Sequence, residues 1–314
     1  MPQLDVCVIG EVNLDLILYG LPKELTLDCE LLAKNMAFTL GSSSAIFAHN
    51  LSALGTKVGF ISKIGGDPLG KMALERLAAA GADVSRTTQT ATRTMTGLTV
   101  VLPQSQHRYI FTYPGTMFEM QYSDIDMGYV RNARHLHLSS FFLHQALRPR
   151  ILNLFREAKA SGLTTSLDTN DDPENKWGQD LLEVLKYVDV FLPNDREAKK
   201  IARTQDLSQA INLLAGLAKV VVVKRGSAAA ICRSGEMQVS LVPPTVTVVD
   251  DVGAGDSFGA GFIHQFVKGA KLEDCLAWAN LAGAYSTTKE GGTEAFRDRT
   301  AWNTFARQQR SVAR

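Results

Sequence analysis

Residues 248 to 268 read VVDDVGAGDSFGAGFIHQFVK, with Asp250, Asp251 and Asp256 set around Gly253 and Gly255. A branched apolar run leads into a glycine-rich turn, and a stretch with helical spacing leaves it. Strand, Gly-Ala-Gly turn and helix would bring the backbone N–H groups of Gly253, Ala254 and Gly255 to one point, together with the positive end of the helix dipole. Such a point is an anion site. Glycine also lets a phosphate approach the backbone closely. A carboxylate at the same point, Asp256, would repel a bound phosphate at rest. Its presence makes sense if it accepts a proton from a hydroxyl that attacks the phosphorus. A general base beside a backbone anion hole is the minimum equipment for phosphoryl transfer. An aspartate capping an ordinary helix has the same local sequence, so these residues alone leave both readings open.

Two other nucleotide patterns are weaker. GAGDSFG also spells a loose dinucleotide fingerprint, but no acidic ribose-binding residue follows about 20 positions later. GGDPLGKM, residues 65 to 72, nearly spells a Walker A loop. Met72 stands where the Mg2+-binding hydroxyl belongs, and Pro68 removes a backbone donor. His49, His107, His135, His137, His144 and His264 have no metal-ligand spacing and read as satisfied core or surface side chains. DTNDDPENKW places acids after a strand end, where they would either approach phosphates and metal or form a solvated loop begun by Pro173.

Strands and helices must alternate to hold these residues. DVCVIG, KVGFISKIG, HLHLSS, TTSLDT, VDVFLP and KVVVVKRG read as strands. SSAIFAHNLSALG, PLGKMALERLAAAG, RPRILNLFREAKASG, GQDLLEVLKY and DREAKKIAR read as helices, with Pro68 opening one and Gly55 and Gly81 closing two. That order predicts a mostly parallel sheet covered on both faces, with ligands along the strand C-terminal ends. NLDLILYG and TGLTVVLPQSQHRYIFTYPG lack crossover helices. They form either a small separate sheet, a lid, or an antiparallel edge of the main sheet.

With 314 residues, 45% hydrophobic and 21% charged, the composition is that of an ordinary globular α/β chain. A net charge of +1 gives no electrostatic case for a nucleic-acid partner. No apolar run approaches the roughly 20 residues that span a bilayer, so no membrane is expected. The chain enters LDVCVIG without a basic n-region or cleavage site. Cys7, Cys29, Cys232 and Cys275 are scattered and read as reduced thiols, which fits a cytoplasmic protein.

The motifs, taken in order along nearly the whole chain, resemble the ribokinase-like sugar kinases of the phosphofructokinase-B group. GEVNLDLI resembles the family's opening strand, which implies that Asn13 and Asp15 bond sugar hydroxyls. GSSSAIFAHNLSALG resembles the first signature and implies a sugar-facing turn at Gly41 and Ser42. GGDPLG is similar to the family's Gly-x-Asp-x-x-Gly. PNDRE resembles the Pro-Asn-x-x-Glu element, which implies Asn194 near the nucleotide and Glu197 tied to Mg2+ through water. VVVKRGSAA looks like the nucleotide strand and turn, with Lys224 and Gly226. DDVGAGDSFGAGF resembles the second signature, whose last aspartate, here Asp256, is the base. ANLAGAYSTTKEGG is similar to the segment closing over adenine, with Asn280.

The resemblance implies one kinase domain over residues 1–314, a three-layer α/β/α fold with a mostly parallel central sheet. It also implies lid strands at about 12–19, 33–39 and 97–113. It implies direct in-line transfer from ATP with Mg2+, and a monovalent cation, K+, beside Asp250. The acceptor is a small sugar or sugar derivative. A nucleoside kinase of the same fold shares the motifs, as would a non-catalytic sensor, though a sensor has no reason to keep Asp256. Two lid sheets packed on each other would make a homodimer. Several positions depart from the pattern. Asp251 stands for threonine, Ser42 for the second glycine, Ile46 for asparagine and Ala229 for a glycine of the nucleotide turn. Ser139 and Ser140 stand where ribokinase places a sugar-binding glutamate, which argues against ribose. Arg108, at the hairpin tip, is placed to reach an acidic or phosphorylated substrate. Tyr109 and Tyr113 either stack on a sugar or face the core.

Overall fold

Runs such as VCVI, VGFI and VVVV are apolar at every position, as strands must be when helices cover both faces. In the computed structural model, which describes residues 3–104 and 107–312, they are buried at every position. In chain order the strands are β1 (Leu4–Ile9), β2 (Asn13–Tyr19), β3 (Asn35–Gly41), β4 (Val58–Ile61), β5 (Lys63–Ile64), β6 (Thr88–Gln89), β7 (Gly97–Gln104), β8 (His107–Tyr113), β9 (Ala133–Leu138), β10 (Thr164–Leu167), β11 (Val190–Phe191), β12 (Val220–Val223), β13 (Ala230–Ser234) and β14 (Met237–Leu241). The helices are α1 (Ser43–Ala53), α2 (Pro68–Ala80), α3 (Met127–Val130), α4 (Ile151–Ala160), α5 (Gln179–Leu185), α6 (Asp195–Ala202), α7 (Leu207–Ala215), α8 (Ala254–Phe266), α9 (Leu272–Ser286) and α10 (Arg299–Val312).

The large sheet runs β14-β13-β12-β11-β10-β9-β1-β4, parallel from β4 to β12 and closed by the antiparallel β13 and β14. Alternate side chains serve opposite layers. Val6, Val8, Phe60 and Val222 pack with α1, α2, α8 and α9. Cys7, Ile9, Leu138 and Val221 pack with α4, α5, α6 and α7. This is a three-layer α/β/α fold with a separate small sheet. No helix among the described residues is long and apolar enough to cross a membrane.

The helix ends follow their sequence signals. Ser42 caps α1, its hydroxyl accepting from the Ala45 N–H at 3.3 Å. Asp67 caps α2, Pro68 fills its first position, and Gly81 ends it in the left-handed region at φ 101°. The near-Walker stretch is therefore a helix start: Asp67 accepts from Leu69 and Gly70 within the helix and from the Thr96 backbone at 2.7 Å.

The strands without crossover helices form their own sheet, β3-β2-β7-β8, and not an edge of the main one. β2 pairs antiparallel with β3 and parallel with β7, and β7 pairs antiparallel with β8. The turn at residues 105 and 106 lies outside the described residues, as do residues 1, 2, 313 and 314. Directly paired residues share a face. Asn13, Asp15, Thr99, Val101, Arg108, Ile110 and Thr112 turn toward α1 and the end of the large sheet, where they line one cavity. Leu16, Phe38, Val100, Phe111 and Tyr113 share the opposite face.

Candidate active site

Parallel strands deliver their C-terminal ends to one edge, and the loops beyond them carry the polar residues. Glu11 follows β1, Ser139 and Ser140 follow β9, Asp168 and Asn170 follow β10, Asn194 follows β11 and Lys224 follows β12. Two cavities open on this edge. One, of about 230 Å3, lies under the small sheet. The other, of about 520 Å3, lies between Lys224–Ser227, the 242–248 segment and α9. The first turn of α8 is the wall between them. Val252, Gly253 and Asp256 line the small cavity, while Asp251, Ala254 and Gly255 line the large one. Gly253 caps α8 at φ 71°, and a Cβ there would meet Gly292 Cα at 2.7 Å. A groove of about 550 Å3 between Asn175 and Gln205 holds none of the expected site residues.

The small cavity gathers every residue expected to face a sugar except Gly41, which packs behind it. Asn13 Nδ2 donates to Thr99 Oγ1 at 2.8 Å, and its buried Oδ1 has no partner, so an acceptor is left for a hydroxyl. A Cβ on Gly41 would fall 2.0 Å from Asp15 Oδ1 and 2.5 Å from Asn13 Oδ1, which is why this turn needs glycine. Burial, then the charges of Asp256 and Asp250, push Asp15 up to about 7. Glu11 forms the floor. Burial alone would raise it, but hydrogen bonds from His144, Ser44 and Ser140 outweigh burial and hold it at about 2. Arg108 lines the cavity and pairs with Asp251, joining the small sheet to the turn before α8. Tyr109 and Tyr113 are about half exposed and line neither cavity, so the stacking and core readings both fail; Tyr109 lies against Phe111 instead.

Asp256 is the third residue of α8. Burial, then the Asp168 charge, raises its carboxyl to about 7, while Lys224 and a hydrogen bond from Ser43 oppose that rise. Lys224 donates to Asp168 at 2.5 Å. Burial would lower this lysine, but Asp168 and Glu197 outweigh it and raise it above its ordinary value. Gly226, at φ 57°, turns the chain beside the large cavity. Asn194 and Glu197 form a capping box on α6: each side chain bonds the other's backbone N–H, both at 2.9 Å. They line neither cavity but sit one step behind Lys224, which bridges to Asn194. Burial pushes Glu197 up to about 7, against the pull of Lys224. Asn280 lines the large cavity while donating to Leu241 O at 2.9 Å.

The Asp250 carboxylate accepts from Tyr19 at 2.7 Å, Gly291 N at 2.9 Å and Val252 N at 3.0 Å. Of the acids after β10, only Asp168 reaches the site. Asp171 pairs with Arg196 at 2.7 Å, and Asp172 accepts from the backbone of Glu174, Lys176 and Trp177. His135 and His137 are fully buried in a column of hydroxyl contacts, Thr164–His135–Ser166–His137–Ser139. Burial holds both rings well below the ordinary histidine value.

Sequence reasoning did not single out Glu11, Ser43, Asp168 or Asn170. Glu11 and Ser43 sit inside motifs, and their only further signal is a polar residue directly after a buried strand or at a helix start. Asp168 and Asn170 follow a strand end in the acidic loop, which marked the segment but not these two side chains.

Residues 3–299 match the profile of the pfkB family carbohydrate kinases. An ATP-dependent ribose-1-phosphate kinase of Halopiger xanaduensis is 30% identical over 303 residues, covering 91% of this chain and 93% of its own length. An uncharacterized sugar kinase of Archaeoglobus fulgidus is 28% identical over 244 residues, 78% of this chain and 96% of that protein. The solved Arabidopsis thaliana ribokinase complexed with ribose and ATP superposes with a TM-score of 0.81 at 25% identity, over 96% of this chain and 98% of that one.

Proposed function

Since the chain belongs to the pfkB family of carbohydrate kinases, phosphotransferases that act on an alcohol group, we propose that it moves the γ-phosphate of ATP onto a hydroxyl of a small sugar or sugar derivative. One observation carries this reading: Asp256 lines the small cavity while Ala254 and Gly255, on the same helical turn, line the large one. A base, an anion hole and two compartments meet there. Asn13 and Asp15 orient the acceptor over the Gly41–Ser42 turn. Asp256 takes the acceptor's proton as the new bond to phosphorus forms. The N–H groups of Gly253, Ala254 and Gly255, with the dipole of α8, stabilise charge on the transferring group, which passes directly and in line.

The small cavity favours a sugar over a nucleoside. Its lining is rich in hydroxyls, amides and carboxylates, and no aromatic ring lines it to stack on a base. Its volume of about 230 Å3 suits a monosaccharide. Arg108 is the cationic side chain among the lining residues and fits an acidic or phosphorylated substituent. The large cavity suits the nucleotide, with Lys224, Gly226 and Asn280 on its walls. Glu197, a buried carboxylate pushed up to about 7, would be relieved by a dication and fits Mg2+ held through water, which when bound neutralises the phosphate tail. A K+ ion at Asp250 would have to share a carboxylate that already serves three donors. Titrating KCl at constant ionic strength reads whether turnover needs that ion.

The deciding experiment is ATP turnover on a panel of sugars, sugar phosphates, sugar acids and nucleosides, with Asp256→Asn beside the unmutated protein. We expect turnover on a sugar or sugar derivative, and at least a 10²-fold loss in the variant with little change in nucleotide affinity. Near-normal turnover in the variant would reduce Asp256 to a helix cap. Turnover confined to nucleosides would move the substrate assignment to the sister class.

A further inference from the structure

A third concave surface lies outside the two cavities of the site. The groove of about 550 Å3 between the loop after β10 and the far end of α6 is lined by Lys176, Arg196, Lys199, Lys200 and Arg203 against one acid, Asp195. Lys176 pairs with Glu174 and Arg196 with Asp171, both at 2.7 Å, and Lys199 pairs with Asp195 at 2.5 Å. Neither Lys200 nor Arg203 is ion-paired among the described residues. Cations that converge in one concavity, two of them unmatched, raise the local concentration of anions. Trp177, 5% exposed, lines the same groove and is held by the bond from its Nε1 to Asn175 Oδ1 at 2.9 Å.

One carboxylate joins this groove to the large cavity. Asp195 opens α6 and is shared: Oδ1 takes Lys199 Nζ, while Oδ2 stands 3.5 Å from Arg225 Nε. That Nε is buried and makes no hydrogen bond. Arg225 lines the large cavity, in the turn Lys224–Ser227. A buried guanidinium N–H without a partner is unfavourable, and a closer carboxylate would relieve it. Lys199 draws Asp195 the other way. An anion in the groove gives Lys199 a second partner and leaves Asp195 to close on Arg225.

We propose that this groove is a regulatory site for a small polyanion, a metabolite carrying two or more phosphoryl or carboxylate groups, and that its binding tightens the nucleotide site through Lys199, Asp195 and Arg225. The class follows from the lining. Several cations spread over one groove call for several acids on one ligand, and about 550 Å3 admits a small molecule. The coupling, though not the site, rests on the large cavity holding the nucleotide.

Fructose 1,6-bisphosphate and citrate, titrated separately without nucleotide at constant ionic strength, are the probes. At least one should change Trp177 fluorescence with a midpoint of about 1 mM or below. A response to one alone names the acid that the ligand carries. Trp177→Phe should lack the change, and calorimetry reads the same binding without the tryptophan. Lys200→Gln combined with Arg203→Gly, which keeps the left-handed backbone at φ 53°, should weaken binding about tenfold with basal turnover intact. With free Mg2+ held constant, the anion that binds should lower KM for ATP about fivefold at unchanged kcat, and a non-hydrolysable ATP analogue should tighten the anion by the same factor. Asp195→Asn should keep the binding and lose the fall in KM. Binding of neither anion, or binding unchanged in the double variant, would overturn the site. An unmoved KM, or a fall that persists in Asp195→Asn, would overturn the coupling. A protein that turns over no sugar yet binds the anion in this groove refutes the activity proposed above and leaves the site standing.

Discussion

Burial raises Asp256 and Asp15 together to about 7, and the charge of one adds to the rise of the other. A base works only when ionised, so kcat/KM should fall about tenfold per pH unit below an apparent value near 7. The two carboxyls titrate as a set, and the limb belongs to the pair. Asp15→Asn removes the like charge and should move the limb to lower pH, at the cost of a higher sugar KM. An unmoved limb would mean that the two groups do not feel each other. Asp256 was legible in sequence because Gly-Ala-Gly-Asp is contiguous. The meeting of Glu11, Ser43, Ser140 and Asn170 through hydrogen bonds was not, because these positions are brought together only by strand order in the sheet.

The start of α8 makes two glycines do different things. At Gly253 the backbone is left-handed and a Cβ would meet Gly292 Cα at 2.7 Å. At Gly255 the nearest atoms to a Cβ are those of the Lys224 side chain at 3.6 Å, an ordinary contact. Gly253→Ala should therefore cost about 1–3 kcal/mol of stability, read as a lower melting temperature. Gly255→Ala should melt no lower, since alanine favours the helix, but its methyl narrows the large cavity and should raise KM for ATP. Equal melting losses in both would refute this division of roles. Elements with their own punctuation were readable: α1 and α2 carry cap, proline and closing glycine in their sequences. KVGFISKIG was less so, since β4 ends at Ile61 and β5 begins at Lys63 to pair with β6, a break without turn residues. The β13–β14 edge was also missed, because its five-residue strands alternate weakly around an exposed turn.

At the scale of the whole molecule, the outer face of the small sheet is unfinished. Met36, Tyr109, Phe111 and Tyr113 are 60%, 51%, 57% and 51% exposed, more apolar surface than a solvated sheet ordinarily shows. We propose that a second copy covers it, sheet on sheet. Val100→Asp and Phe111→Asp, on that face, should give monomers by light scattering and weaken sugar binding more than ATP binding. A monomer for the unmutated protein at micromolar concentration would rule out the dimer and leave closure within one chain intact. The two faces of this sheet also set a parity rule for redesign. In β2, β3 and β7 the odd-numbered residues look into the cavity, and in β8 the even-numbered ones do. A library confined to 99, 101, 110 and 112 would alter which acceptor fits without touching the outer surface. Deleting Leu98 would do the reverse of a local change: it would turn Val100 and Leu102 inward and Thr99 and Val101 outward, exchanging pocket for surface along the rest of the strand.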